Sequence, residues 1–444
     1  MKTIGIICEL NPLHNGHKYL IDMARQKFGA DYVLLVMSGD YTQRGTPSIV
    51  SKETRTKMAL MAGADAVFEL PVQYATGSAE YFASGAVSLL NSLGIVDHIL
   101  FGTENGDIKE INEIASILND EPEEYQKALQ DNLKKGLNFA SARDDALKKI
   151  TSLKNNSTLI GSNNILGIEY CRALMASNSK ITPLTIKREG ADYNEEKLSE
   201  TFSSAAAIRN VLENSIGTKQ TLVKKCNASK VMNDSVSEDN SISNHDSNSN
   251  YESASDTADL KTQLKGSIPE DILDILLSEK SYNCLDNYSD YLHYKLLTER
   301  DHGFTSYADI HRDLSDKIIN HLPEYTTISE FITLLKSKDL TYTRIQRCML
   351  HILLGIKHET LDALKNENYP VYLRLLGFKK ESSKLLADIR EHADSPVISR
   401  MSDSFKIEDQ RQKELLSEDI LASDIYHLII PQTKNEYQKP VTIL

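Results

Sequence analysis

The chain has 444 residues, 40% hydrophobic and 25% charged, which is enough for two or three domains with cores of their own. Its net charge of −13 disfavours a nucleic-acid partner on average. Its five cysteines (Cys8, Cys171, Cys226, Cys284, Cys348) include no CxxC pair, which argues against a disulfide framework or a structural zinc site. The opening apolar run Met1–Ile7 is too short for a signal peptide, and no stretch nears the roughly 20 apolar residues of a membrane helix, so a cytoplasmic protein is expected.

The first ~210 residues alternate strand and helix signals. Thr3–Glu9 reads as a buried strand, Gly16–Phe28 as a helix and Tyr32–Met37 as a second strand. Ser51–Ala62 reads as a helix capped by Ser51, Ala66–Leu70 as a third strand, Ala79–Leu93 as a third helix and His98–Phe101 as a fourth strand. Strands separated by helices of this length predict a Rossmann-like, doubly wound parallel sheet, whose functional residues gather at the carboxyl ends of the strands. From 233 to 256 the chain is rich in Ser, Asn and Asp and poor in apolar residues, a composition that cannot offset its ordering entropy. The organisation expected is an α/β domain over 1–222, a disordered insertion over 223–264 and a mostly α-helical region over 265–444. That last region has candidate helices at Ile268–Leu277, Tyr288–Leu297, Tyr307–Ile319, Thr327–Lys336, Thr343–Leu354 and Ser382–Ala393.

The most specific signal is Asn11-Pro12-Leu13-His14-Asn15-Gly16-His17, lying between the first strand and the first helix. A helix N-terminus offers unpaired N–H groups and partial positive charge, a seat for phosphate. Gly16 removes bulk where a backbone must approach a ligand. His14 and His17, three apart, lie on one face of the first turn, where both can donate to a triphosphate and stabilise charge building on its α-phosphorus. His14 and His17 are therefore the candidate catalytic residues.

His14-Asn15-Gly16-His17 resembles the HxGH signature of the nucleotidyltransferase superfamily. Further segments narrow the likeness: Met37 to Pro47, Ser51-Lys52, Arg55 to Leu60, Glu69-Leu70-Pro71, Phe101 to Asp107, Asn163 to Gly167 and Arg188 to Tyr193. In this order, and with Tyr342 to Arg347 and Arg374 to Phe378 in the second half, they resemble the bacterial tRNA(Met) cytidine acetate ligase family. The resemblance implies activation of acetate by ATP; magnesium is expected with the nucleotide, since it helps to neutralise pyrophosphate, although no acidic cluster compels it. The acetyl group of acetyl-adenylate then passes to N4 of the wobble cytidine of elongator tRNA(Met), giving N4-acetylcytidine. It also implies ATP contacts at Ile7, Cys8, Glu9, Leu10, Asn11, Pro12, Leu13, His14, Asn15, Gly16, His17, Lys18, Tyr19 and Leu20. Gly102, one of Asn163 and Asn164, and Arg188 complete that set.

Ser38-Gly39-Asp40, Gln43-Arg44-Gly45 and Lys52 form a polar loop beside the site, suited either to acetate or phosphate binding or to a structural role. Ser203-Ser204-Ala205-Ala206-Ala207-Ile208-Arg209 is similar to the segment ending in Ile-Arg that many adenylyltransferases place over the phosphates, with Arg209 the phosphate candidate. Between 336 and 380, nine Lys/Arg against four acids give a local +5, with Tyr342, Tyr369, Tyr372 and Phe378 interleaved. Arg344, Arg347, Arg374, Lys379 and Lys380 are the RNA-backbone candidates, with the aromatics available to stack on splayed bases. A small-molecule adenylyltransferase of coenzyme biosynthesis is the alternative reading; it needs the HxGH site but no basic extension.

Overall fold

The computed structural model describes residues 1–137, 139–151, 161–188, 203–214, 258–338, 340–432 and 434–444. The Ser/Asn/Asp-rich stretch lies outside the described residues. Strands β1 (Thr3–Cys8), β2 (Tyr32–Ser38), β3 (Ala66–Leu70), β4 (His98–Thr103) and β5 (Thr182–Lys187) are parallel and stand in the order β5-β4-β1-β2-β3. The chain winds outward from β1 to β3 and then returns to lay β4 on the other side of β1. The order therefore reverses between β1 and β4, and the crevice at such a reversal is where α/β sheets bind ligands.

Within this part the helices are α1 (Asn15–Gln26), α2 (Lys52–Met61), α3 (Val72–Ala75), α4 (Ala79–Ser92), α5 (Ile108–Asp120), α6 (Glu123–Lys134), α7 (Phe139–Ile150), α8 (Ser162–Ala176) and α9 (205–214). Strand alternation sorts them onto two faces. Ile4, Ile6, Val33, Leu35 and Met37 share a core with Ile21 of α1 and Met58, Ala59 and Leu60 of α2. Leu34, Val36, Ile99 and Phe101 share the opposite core with Phe82, Ala86 and Leu90 of α4 and Ile168 of α8. Gly5 lets α4 approach the sheet, since a Cβ there would stand 2.7 Å from a Leu90 methyl carbon. Ser51 caps α2 as anticipated, its side chain accepting from the Thr54 N–H.

Residues 258–264, read from sequence as the end of the insertion, form helix α10, with Leu260 and Leu264 buried four apart on one face. Helices α11 (Glu270–Leu277), α12 (Ser289–Glu299), α13 (Arg312–His321), α14 (Ile328–Leu335), α15 (Tyr342–Leu354), α16 (His358–Asn366), α17 (Ser383–His392) and α18 (Gln410–Tyr426) follow. The sheet, however, is neither wholly parallel nor confined to the first half. Strand β6 (Leu373–Phe378) pairs antiparallel with β3, and β7 (Val397–Ile398) and β8 (Thr442–Ile443) both pair with β6. The Leu-Arg-Leu-Leu-Gly-Phe run is apolar and strand-length, but its place between helices hides which edge it joins.

This placement corrects Arg374 as an RNA contact. It sits in a strand buried on both faces, 7% exposed, with Nε 3.3 Å from Glu69 and an Nη 2.6 Å from Glu436. Tyr372, offered from sequence as a stacking aromatic, is wholly buried with its hydroxyl on Asp419 at 2.5 Å. Among the described residues no helix is long and apolar enough to cross a membrane.

Candidate active site

Strand β1 ends at Cys8, and the chain reverses through Leu10, left-handed at φ 49°, and a cis Asn11–Pro12 peptide. Arg55, wholly buried on α2, holds this turn in place: it donates to the Glu9 carbonyl at 2.7 Å, to the Ser38 carbonyl at 3.0 Å and to the Gly39 carbonyl. One guanidinium thus fixes the ends of β1 and β2 together, which makes Arg55 a positioning residue. Asn11 Oδ1 accepts from the Ile49 N–H at 2.7 Å, and the Asn11 carbonyl accepts from Arg209 at 2.7 Å.

His14 is the N-cap of α1. Its Nδ1 accepts from the Gly16 N–H at 3.0 Å, and His17 Nδ1 accepts from the His14 N–H at 3.3 Å, closing a reciprocal capping box. The rings lie 4.0 Å apart. Because both Nδ1 atoms accept, each neutral ring carries its proton on Nε2. Burial, then the neighbouring His17, Arg188 and Arg209, hold His14 well below its ordinary range. Burial and then Arg188 bring His17 down to about 3. At neutral pH both are uncharged Nε2–H donors. Gly16 is required beside them, since a Cβ there would come within 2.8 Å of His14 Cε1.

These groups open onto a cavity of about 400 Å³ at the carboxyl ends of β1 and β4, the sheet's reversal point. Among the described residues, five helices present their first turns to it, through Gly16 and His17 of α1, Ala79 of α4, Ser162 and Asn163 of α8, Ala205 of α9 and Thr343 of α15. Arg44, Arg188, Arg209 and Arg347 line it against a single carboxylate among the described residues, Glu9. Converging helix dipoles and four guanidiniums make it a polyanion site.

Of the residues expected at the nucleotide, Ile7, Cys8, Glu9, Leu10, Asn11, His14, Gly16, His17, Tyr19, Leu20, Gly102, Asn163 and Arg188 line the cavity. Pro12, Leu13, Asn15, Lys18 and Asn164 do not. Leu13 is in the core, Asn15 donates to the Gly266 carbonyl at 2.6 Å, and Lys18 pairs with Asp22 at 2.5 Å one turn along α1. The two asparagines are separated by the helical turn. Asn164 is wholly buried and accepts from the Glu104 N–H at 3.0 Å, while Asn163 faces the cavity and donates to Glu104 Oε1 at 3.1 Å. Gly102 carries Arg188 over it, with Cγ 3.0 Å from where a Cβ would stand. Ser203 and Ser204 also line the cavity; the Ser203 hydroxyl meets that of Ser267 at 2.8 Å, and Ser204 caps α9 through the Ala207 N–H.

The polar loop divides in two. Gln43 and Arg44 line the cavity, whereas Asp40 and Lys52 are sealed in an ion cluster with Glu69, Glu436 and Arg374. Lys52 is 1% exposed and 2.8 Å from Glu69, so it is a structural cation. The basic candidates divide too. Arg347 lines the cavity and Arg344 lies one turn before it on α15, half-buried. Lys379 and Lys380 follow β6, and because Phe378 pairs with Ala66 they stand at the opposite end of the sheet. Sequence reasoning missed Thr343 as a cavity residue, and also Phe82, Phe101, Leu166 and Tyr170. The packing of α15 on Gly45, whose Cβ would lie 2.6 Å from the Arg347 nitrogen, brings Thr343 and Arg347 to the site.

The HIGH Nucleotidyl Transferase family model matches residues 1–440. A tRNA(Met) cytidine acetate ligase of Acetivibrio thermocellus is 39% identical over 429 residues, 96% of this chain and 94% of the relative. Another from Caldanaerobacter subterraneus subsp. tengcongensis is 38% identical over 436 residues, 96% of this chain and 95% of the relative. Two Thermotoga maritima TmcAL crystal structures superpose over the whole of both chains. The apo form has a TM-score of 0.84 at 30% identity, and the form bound with alpha-thio ATP has 0.82 at 29%. The chain belongs to the tRNA(Met) cytidine acetate ligase family of HIGH nucleotidyl transferases.

Proposed function

We propose that this protein joins acetate to ATP, releasing pyrophosphate, and passes the acetyl group of acetyl-adenylate to N4 of the wobble cytidine of elongator tRNA(Met). The observation that carries the reading is the pair of neutral Nε2–H imidazoles beside Arg188 and Arg209, where β1 gives way to α1. ATP lies with its phosphates over the α1 and α9 N-termini, with its ribose and base towards Gly102 and Asn163. As acetate attacks the α-phosphorus, His14 and His17 donate to the equatorial oxygens, and the arginines hold the leaving pyrophosphate. Neutral donors suit this step, since their hydrogen bonds strengthen as negative charge grows and they need no proton transfer.

Magnesium enters on the triphosphate as part of the substrate. The only cavity carboxylate among the described residues is Glu9. The one cluster of three possible ligands among the described residues, Asp40, His427 and Glu436, already holds Lys52 and Lys439. The tRNA backbone meets Arg344 and Arg347 at the cavity, while Lys379 and Lys380, at the other end of the sheet, meet so large a ligand only at a remote segment. A tRNA substrate sets the cytoplasm as its compartment. The test is incubation with ATP, acetate and bulk tRNA, followed by nucleoside mass spectrometry. N4-acetylcytidine is expected, dependent on both ATP and acetate, and its absence with folded protein and cognate tRNA refutes the reading.

A further inference from the structure

The cavity wraps around the end of β1, so its two walls belong to opposite faces of the sheet. Leu10 and Ile186 belong to the core under α1, on the side of His14, His17 and Arg188. Phe82, Phe101 and Tyr170 belong to the core under α4 and α8. The second wall is the apolar one, yet it carries two polar atoms. Glu9 Oε1 accepts from the Gln43 N–H at 2.7 Å, which fixes the carboxylate, and Oε2 has no partner among the described residues. Tyr170 is 4% exposed, its ring 5.5 Å from that of Phe101, and its hydroxyl has no partner among the described residues. Burial and then the Glu9 charge raise this hydroxyl above its usual range, so it stays protonated and donates.

An apolar wall that carries one acceptor, held in place by the Gln43 N–H, and one donor is the complement of a cytosine, which presents an amine donor at N4 and an acceptor at N3. Resting on the ligase reading above, we propose that the acceptor cytosine enters on the α4/α8 side of this cavity with its edge on Glu9 and Tyr170, and that Glu9 takes the proton its amine loses. The N4 lone pair forms the C–N bond to the acyl carbon, and the acyl C–O bond breaks with its electron pair leaving on AMP. The surplus N4 proton moves to Glu9 Oε2 and from there to solvent. Tyr170 O–H donates to N3, and the cytosine ring lies against the apolar wall that Phe82 and Phe101 line. A uracil would set its O4 against the carboxylate and be repelled.

The test uses the full chain, wild type and the variants Glu9→Gln, Glu9→Asp and Tyr170→Phe, with acetyl-adenylate formed on the enzyme and then chased with tRNA(Met). Transfer is expected to fall roughly 100-fold in Glu9→Gln and to be partly restored in Glu9→Asp. In competition binding, wild type is expected to prefer tRNA with C at the target position over the same tRNA with U by about tenfold or more, and both Glu9→Gln and Tyr170→Phe to lower this ratio to about twofold. Transfer by Glu9→Gln within about threefold of wild type, or an unchanged C/U ratio, overturns the proposal. If Glu9→Gln does not fold, the ratio in Tyr170→Phe decides, since that change removes one hydroxyl and keeps the packing. Failure of wild type itself to acetylate any tRNA cytidine overturns the ligase reading instead.

Discussion

Replacing His17 by alanine separates chemistry from architecture at this site. The ring contributes one Nε2–H to the cavity and one acceptor, Nδ1, to the α1 capping box at 3.3 Å, a long bond. Losing that half of the cap costs about 0.5–1 kcal/mol of stability. Losing a preorganised donor to developing charge costs roughly 2.7–4 kcal/mol of transition-state stabilisation, or about 100- to 1,000-fold in kcat. Arg188 and Arg209 remain to hold the ground-state triphosphate, so KM for ATP is expected to stay within about threefold. Acetate-dependent exchange of labelled pyrophosphate into ATP, read beside thermal unfolding, measures both effects. A folded variant with kcat within about fivefold of wild type, or a KM that rises as far as kcat falls, would refute the assignment. The same geometry fixes a pH dependence. The folded protein holds both rings below the ordinary 6.5, so between that value and the lowered ones it binds fewer protons than the unfolded chain. The stability these neutral rings confer is complete above pH 6.5 and is lost as pH falls toward 3. No loss of exchange activity from imidazole deprotonation is expected between pH 6.5 and 8.

Glu436 binds Arg374 at 2.6 Å, Lys52 at 3.2 Å and Lys439 at 2.6 Å, all within a sealed cluster. Glu436→Ala strands those cations, and urea unfolding is expected to show a loss of about 3–5 kcal/mol; a loss below about 1 kcal/mol contradicts the account. Burial alone would raise this carboxyl, but Lys52, Arg374 and Lys439 hold it far below the ordinary 4.5, so its stabilisation is present above pH 4.5 and fades as pH falls below it. Gly45, at φ +83°, presses on the α15 backbone, and Gly45→Ala is expected to raise KM for tRNA by displacing Arg347 while the α1 caps stay intact; an unchanged KM counts against that coupling. Arg347→Ala is expected to reduce the salt dependence of tRNA binding by about one unit of slope, measured by filter binding across salt concentrations. An unaltered slope removes Arg347 from the RNA contact.

Whatever depends on near neighbours along the chain was legible before any coordinates. Strand and helix periods placed β1 to β4 and their helices within a few residues, and the Ser51 cap, the histidine pair on the first turn of α1 and Gly16 follow from local backbone geometry. The choice between Asn163 and Asn164 was not legible, because adjacent helix positions point about 100° apart and only packing on Glu104 says which one faces the cavity. Charge sign alone also misled in the second half, where Arg374, Lys379 and Arg347 share a basic stretch but end in the core, at the far end of the sheet and in the cavity wall respectively. A strand's edge and direction are set by partners some 300 residues away, and no period in the sequence encodes them. The residues alone therefore determined a strand–turn–helix with a histidine pair on its first turn, and the antiparallel addition of β6 and the packing of α15 decided which distant side chains surround it.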